Sequence, residues 1–463
     1  MGGVIIAGDR SGSGKTTVTM ALLSTLRSRG TSVQAFKVGP DYIDPMFHRA
    51  ITGRPAYNLD PVLTSETYVQ QCFQQHSAAT DYAVVEGVMG LFDGAGGTDW
   101  ASTAHVARLL NCPVILVVDC ARLSRSLAAI VHGYQTLDDR LHIAGVVLNR
   151  VGSDRHLAML KAAIAALRLP VLGILRRDDA VTQPDRHLGL VPTDELSDLP
   201  ERFRHLATLG QRCFDWQALE KIWQPATDSP TTTIVETSQS HHPQRSSTRK
   251  IRIGIARDRA FNFYYEDNLK ILTRLGTELV PFSPLTDDAL PPDLSGLWLG
   301  GGFPEMFAAE LSHNLPMRAA IAQQVAAGLP TYTECGGLMY LCESLVDFEG
   351  HVWPMVGALP TTTTMTGKLT LGYRQVTVQQ TSPLVVPGQQ FWGHEFHRSA
   401  IAPLPVEPLC TLSAYPLLDA TAISVGTEGW GSTSIHASYV HLHWGAQPAL
   451  PKRFIKRCDR DHS

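Results

Sequence analysis

Residues 3–17 constrain this chain more than any other stretch. The apolar run Gly3-Val4-Ile5-Ile6-Ala7 leads into Gly8-Asp9-Arg10-Ser11-Gly12-Ser13-Gly14-Lys15-Thr16-Thr17. From Lys15 to residue 29 the apolar residues then recur at helical spacing. A buried strand, a glycine-rich turn and a helix in that order place backbone N–H groups and a positive helix end around an anion. Lys15 is expected to reach the β- and γ-phosphates of a nucleotide, and Thr16 to offer its hydroxyl to Mg²⁺. Five residues rather than the usual four separate Gly8 from Gly14, so the loop is a variant. Gly12, Ser13, Gly14, Lys15, Thr16 and Thr17 are the expected contacts to ATP.

A unit of this kind belongs in an α/β sheet, and the following sequence agrees. Residues 33–38, 82–86, 113–119 and 143–149 are apolar, β-branched runs, separated by helical stretches such as 101–110 and 155–167. Alternating strands and helices predict a mostly parallel, doubly wound sheet covered on both faces. Residues 225–249 are polar, rich in Ser, Thr and Pro and free of aromatics, which predicts a linker. A second α/β series starts at Ile251-Arg252-Ile253-Gly254-Ile255-Ala256. The expected divisions are a first domain over 1–224, the linker over 225–249, a second domain over 250–448 and a tail over 449–463.

Composition closes off several function classes. A net charge of −4 over 463 residues provides no basic field for nucleic acid. No apolar run is long enough for a membrane span, and the start carries no basic, cleavable leader. The eight cysteines lack any CxxC pair, which fits reduced thiols and predicts a cytoplasmic location. The expected partners are small-molecule substrates.

Two segments extend the nucleotide half. Phe36-Lys37-Val38-Gly39-Pro40-Asp41-Tyr42-Ile43-Asp44-Pro45 follows the second strand, and Glu86-Gly87-Val88-Met89-Gly90 follows the third. Ligands gather at the carboxyl ends of strands in such sheets. Asp41 and Glu86 are therefore expected to join Thr16 around Mg²⁺, which prefers hard oxygen donors. Lys37 is expected to balance charge on phosphate or on a substrate carboxylate, with Asp41 and Tyr42 beside it.

A nucleophile stands in the second half. Cys335 follows Pro330-Thr331-Tyr332-Thr333, which reads as a strand, and precedes Gly336-Gly337-Leu338-Met339-Tyr340-Leu341, which has helical character. A cysteine on a strand-to-helix turn is exposed and close to a positive helix end. The N–H of Gly336 can face a developing oxyanion, and Leu299-Gly300-Gly301-Gly302-Phe303 offers a second donor at Gly302 or Gly301. The other seven cysteines are expected to be inert. The base is expected in Ser438-Tyr439-Val440-His441-Leu442-His443, on one strand face, and the residues alone leave His441 and His443 open. Gly393-His394-Glu395-Phe396-His397 is a lining of the passage between two sites, a contact to substrate or a hydrogen-bonded structural turn. A nucleotide site and a Cys–His pair in one chain suggest ATP-driven amide synthesis from glutamine.

The variant loop, residues 37–45 and Glu86-Gly87-Val88-Met89-Gly90 resemble the dethiobiotin-synthetase-like amidases of corrin biosynthesis. The resemblance runs over nearly the whole chain and includes residues 186–192. It implies a P-loop NTPase-like first domain and a class I glutamine amidotransferase-like (flavodoxin-like) second domain. It also implies an acyl phosphate made from ATP on the a and c acetate side chains of cobyrinic acid, then displaced by ammonia. Hydrogenobyrinic acid or a nickel tetrapyrrole are the alternative substrates. The same resemblance implies Asn149 at the adenine, Asp44 and Asp93 near the substrate, and a homodimer. Resemblance to triad-type glutamine amidotransferases implies His441 as the base. Those enzymes carry Glu two residues later, where this chain has His443. A P-loop switch ATPase of the partition type is the rival reading, but no lysine precedes Lys15 in the loop. Such a switch also has no use for Cys335 and His441.

Overall fold

The computed structural model describes residues 2–177, 185–186, 189–223, 250–417 and 423–459, with backbone alone at 185–186 and 189–190. The expected linker and part of the segment 186–192 lie outside the described residues.

Strands Tyr57–Leu59, Val33–Val38, Tyr82–Glu86, Gly3–Gly8, Val114–Asp119, Ile143–Val151 and Val171–Arg176 form one sheet in that order. Every pairing in it is parallel. Strand Gly3–Gly8 is buried at all six positions, as a central parallel strand must be when helices cover both faces. Separate apolar clusters fill the two faces. One contains Val4, Ile6, Val18 and Leu22, and the other contains Ile5, Ala7, Val114, Leu116 and Val118.

The second half is built on Thr277–Phe282, Ile251–Ala256, Gly296–Leu299, Thr331–Glu334 and Ile435–Ser438, all parallel, with Trp430–Gly431 antiparallel at the edge. Between the last two parallel strands the chain inserts a mixed sheet that the α/β reading did not anticipate. Its centre is a long hairpin of Leu359–Val378 and Gln390–Ala402. This hairpin reaches the first half, where Tyr373 donates to Asp60 Oδ2 at 2.9 Å.

Residues 449–458, expected to trail as a tail, form the helix Ala449–Cys458. Leu450, Phe454, Ile455 and Cys458 on one face pack with Ile253, Trp298 and Tyr332, so the helix closes the second core. Phe454 is fully buried. Phe454→Ala should therefore cost about 3–5 kcal/mol of stability by cavity formation. Denaturant unfolding would check this, and a loss under about 1 kcal/mol would return the segment to a dispensable tail. No helix among the described residues is long and apolar enough to cross a membrane.

Candidate active site

Register brings the nucleotide-side residues together. Lys37 lies opposite Glu86, and Glu86 opposite Ile6, so three neighbouring strands end at one level. Above them, Gly12 and Gly14 adopt φ of 74° and 96°. A side chain at Gly14 would also collide with Asn149, 2.1 Å away, so only glycine lets the loop close before helix Lys15–Ser28. Asn149 Nδ2 donates to the Ser13 carbonyl at 2.9 Å and braces the loop from beside it.

Thr16 Oγ1 donates to Glu86 Oε1 at 2.6 Å and lies 3.5 Å from Asp44 Oδ2. Lys37 Nζ donates to Asp44 Oδ2 at 2.5 Å and to Glu86 Oε1 at 3.1 Å. His48 Nε2 stands 2.7 Å from Glu86 Oε2, both side chains being fully buried. Asp41 has a different task. Its Oδ1 accepts from the N–H groups of Ile43 and Asp44 at 2.9 and 3.0 Å, capping helix Ile43–Thr52. Its Oδ2 is 3.9 Å from Lys37 Nζ. Of the expected set Thr16, Asp41 and Glu86, Thr16 and Glu86 are bonded to each other, and Asp44 lies beside Thr16 while Asp41 is engaged at the helix start. Asp93 accepts from the Gly90 N–H at 2.8 Å and closes the turn over residues 90–93.

The electrostatics follow from burial and crowding. Burial works to raise Glu86, but Lys37 and the His48 contact outweigh it and hold the carboxyl below its ordinary range. Burial, then the charges of Asp41 and Glu86, push Asp44 well up. Burial opposes the charge on Lys37, yet Asp44 and Glu86 raise its pKa further than burial lowers it. Lys15 is brought down to about 8, by burial first and then by repulsion from Lys37. Thr16, Asp44 and Glu86 could hold a divalent cation. The donors are all hard oxygens, and a cation would relieve the crowding that raises Asp44.

On the other side, strand Thr331–Glu334 ends at Cys335, whose φ of 46° and ψ of −103° lie outside the ordinary regions for a non-glycine residue. Helix Gly336–Leu341 follows at once. The sharp turn sets Cys335 between the two elements as a nucleophile elbow does, but the residue is 4% exposed and not open to solvent as expected. A side chain at Gly336 would come within 3.1 Å of the Gly302 nitrogen, so the two expected oxyanion donors are neighbours. Burial pushes the Cys335 thiol up, with Glu305 adding to it. The short helix does not offset this, so the thiolate depends on a partner that takes the proton.

The two histidines part company. The chain leaves the sheet after Ser438, so they do not share a strand face as expected. Backbone hydrogen bonds of 2.9 and 3.0 Å pin His441 to His394. The His441 ring lies over Gly301, where an added Cβ would meet Cε1 at 2.5 Å. His443 instead has Nε2 3.4 Å from Asp267 Oδ2 and its ring against Tyr265. Geometry therefore favours His441 at the Cys335 turn.

A cavity of about 1240 Å³ is lined by residues of both halves, though by neither Cys335 nor His441. Gly12, Lys15, Thr16, Lys37, Asp44 and Asn149 line it from the first half, and Tyr373, His394 and Phe396 from the second. The Cys335 thiol points at the Phe396 carbonyl, 3.9 Å away. Tyr42 also lines the cavity, stacks on Phe263 at 5.1 Å, and has its ring 5.1 Å from that of His441. The cluster at 393–397 is thus part of a strand, not a turn, and its alternation sends His394 and Phe396 to one face.

Comparison with known proteins bears on both halves. Residues 4–191 match the CobQ/CobB/MinD/ParA nucleotide binding domain, and residues 252–449 match the CobB/CobQ-like glutamine amidotransferase domain. The chain is 54% identical over 458 residues to the cobyrinate a,c-diamide synthase of a Synechococcus species, covering 99% of this chain and 98% of that one. It is 51% identical to the cobyrinate a,c-diamide synthase of a Synechocystis species, covering 98% and 93% of the two chains. The hydrogenobyrinate a,c-diamide synthase of Streptomyces coelicolor is 40% identical, with 98% and 97% covered.

Proposed function

We propose that this chain, which belongs to the cobyrinate a,c-diamide synthase family, amidates the a and c acetates of cobyrinic acid with ATP as energy source and glutamine as nitrogen donor. The observation that carries this reading is a cavity bounded by the phosphate loop on one side and by the strand that contacts the nucleophile on the other. Its volume of about 1240 Å³ exceeds the range of roughly 300–1,000 Å³ usual for drug-sized ligands, as a nucleotide with a macrocycle requires.

A carboxylate is a poor electrophile, so it must first acquire a leaving group. The substrate carboxylate attacks the γ-phosphorus of ATP, the bond to the β-γ bridging oxygen breaks, and ADP leaves an acyl phosphate. Phosphoryl transfer needs positioning and charge neutralisation. The loop amides and Lys15 supply both around the phosphates. Thr16, Asp44 and Glu86 would hold Mg²⁺, which spreads the charge of the phosphates. Lys37, bonded to Asp44 and Glu86, offsets part of the negative charge gathered there.

In the second half, Cys335 gives its proton to His441 and attacks the side-chain amide carbon of glutamine. Gly336 and Gly302 N–H groups stabilise the oxyanion. The C–N bond breaks as His441 returns the proton to the leaving nitrogen, and ammonia departs. Water then hydrolyses the thioester to glutamate. Ammonia displaces phosphate from the acyl phosphate to form the amide. It must arrive unprotonated, and the strand bearing His394 and Phe396 is the lining for its passage. Burial holds the His394 imidazole down to about 3, so this lining stays neutral at working pH.

The cobalt macrocycle is favoured over the metal-free one because the relatives matched at 54% and 51% are both cobyrinate enzymes, against 40% for the hydrogenobyrinate enzyme. The test is amidation of cobyrinic acid, hydrogenobyrinic acid and a nickel tetrapyrrole by the whole chain with ATP, Mg²⁺ and glutamine, read by mass spectrometry. Two successive acid-to-amide mass changes on cobyrinic acid are expected. Reaction with only another macrocycle would overturn the substrate, and ATP hydrolysis without amide on any of them would overturn the reaction.

A further inference from the structure

The position that commonly orients the base, two residues after it, holds His443 here, and His443 is turned to Asp267. His441 Nδ1 has no hydrogen-bond partner among the described residues. A carboxylate approaches it from another element altogether. Glu334 Oε2 lies 3.7 Å from His441 Nδ1, with the side chains 2% and 1% exposed.

We propose that Glu334, the residue immediately before the nucleophile, is the positioning carboxylate for His441. The inference rests on the glutaminase reading of Cys335 and His441. Glu334 is well placed because its other oxygen is already held. Oε1 accepts from the Leu442 N–H at 3.0 Å and from the Tyr332 hydroxyl. These bonds fix the carboxylate and tie it to the segment that carries His441. Oε2 is left for the imidazole. A contact of 3.7 Å is longer than a hydrogen bond, and catalytic contacts of this length tighten in the substrate complex.

The chemistry follows from the direction of the proton. With Nδ1–H toward Glu334, Nε2 is the free nitrogen that takes the proton from Cys335. The imidazolium that forms is buried, where its charge is costly unless a carboxylate faces it. The same residue therefore selects the tautomer and stabilises the ion pair. Sequence alone hides this role, because the residue before a strand-end cysteine reads as one more buried strand position. The other titratable groups around the pair are Tyr42, Tyr264, Tyr265, Tyr332, Cys335 and His394, with Glu305 and Glu395 acting on the thiol. Burial pushes the four tyrosines and the thiol up and His394 down, and Glu305 and Glu395 add to the rise of the thiol.

The test compares Glu334→Gln, Glu334→Asp and wild type in the full chain. Three quantities are read: glutaminase kcat and KM, amidation with ammonium, and the pH profile of Cys335 alkylation by iodoacetamide. Glu334→Gln is expected to lose about 10²- to 10³-fold in glutaminase kcat, between the effects of removing an outer-shell partner and of removing a triad carboxylate. KM should stay within about threefold, and ammonium-dependent amidation within about twofold. The alkylation profile should shift to higher pH, because the thiolate–imidazolium pair loses its counter-charge. Glu334→Asp should recover part of kcat. An unchanged kcat and alkylation profile in Glu334→Gln would overturn the proposal. Loss of ammonium-dependent amidation in the same variant would also overturn it, since a residue confined to the glutaminase half leaves the synthetase half working. Failure of wild type to hydrolyse glutamine would instead overturn the underlying reading of Cys335.

Discussion

Cys335→Ala should lose glutamine-dependent amidation by about 10⁴-fold or more, the scale on which removal of a covalent nucleophile is felt, while amidation with ammonium stays within about twofold. The substitution is structurally mild. Alanine keeps the Cβ that the φ of 46° already accommodates, so no new backbone strain arises. The lost Sγ contact is a weak one, 3.9 Å from the Phe396 carbonyl. What disappears is the atom that forms the thioester. Parallel assays with glutamine and with ammonium chloride at mildly alkaline pH would read the difference. Equal losses with both nitrogen sources would mean that Cys335 supports the fold or the synthetase site, and the division of labour would fall.

Lys15→Met should give the complementary pattern. Amidation should fall by about 10³-fold or more with either nitrogen source, within the range found when a cation on a transferring phosphoryl group is lost, and ATP-independent glutaminase activity should persist. Lys15 is 7% exposed, and its amine donates to the carbonyls of Arg10 within the loop and of Met89 beyond strand Tyr82–Glu86. Methionine fills the same space without the charge. The free enzyme adds a pH signature. Lys15 titrates at about 8, because burial and Lys37 disfavour its charge. Phosphate binding requires the protonated amine, so the KM for ATP should rise as pH climbs through about 8 and stay flat below it. Lys15→Met should abolish that rise. A variant that kept amidation with ammonium would show that another group neutralises the phosphates, and Lys37 would then be the first to examine.

The two predictions differ in how far the sequence alone supports them. The phosphate loop and the cysteine turn are local devices. A strand, a few glycines and a helix set the backbone within about ten residues, so the positions of Lys15, Thr16 and Cys335 could be read before any fold was known. Lys37 and Glu86 were legible in part. Both fall at strand ends, but only the register that sets one opposite the other shows that they form a pair. Asp41 and Asp44 were not separable. They lie three residues apart at a helix start, and whether a carboxylate caps that helix or turns inward depends on where the first turn begins. Asp41 took the cap and Asp44 the interior. The inserted sheet over 342–428 was missed because its strands carry polar residues on one face and owe their order to the long hairpin rather than to a buried α/β pattern.

Short-range backbone preferences and the demands of phosphate and thiol chemistry act over a few residues, so the order of amino acids alone settles the chemical groups and the local turns that present them. Tertiary structure decided which carboxylate meets which cation or imidazole, and that the two halves share one cavity. Those outcomes rest on contacts between residues far apart in the chain, such as Glu334 with His441, Tyr42 with His441 and Tyr373 with Asp60. Such contacts exist only after burial has selected one packing among many, and no local pattern encodes a distance across that interface.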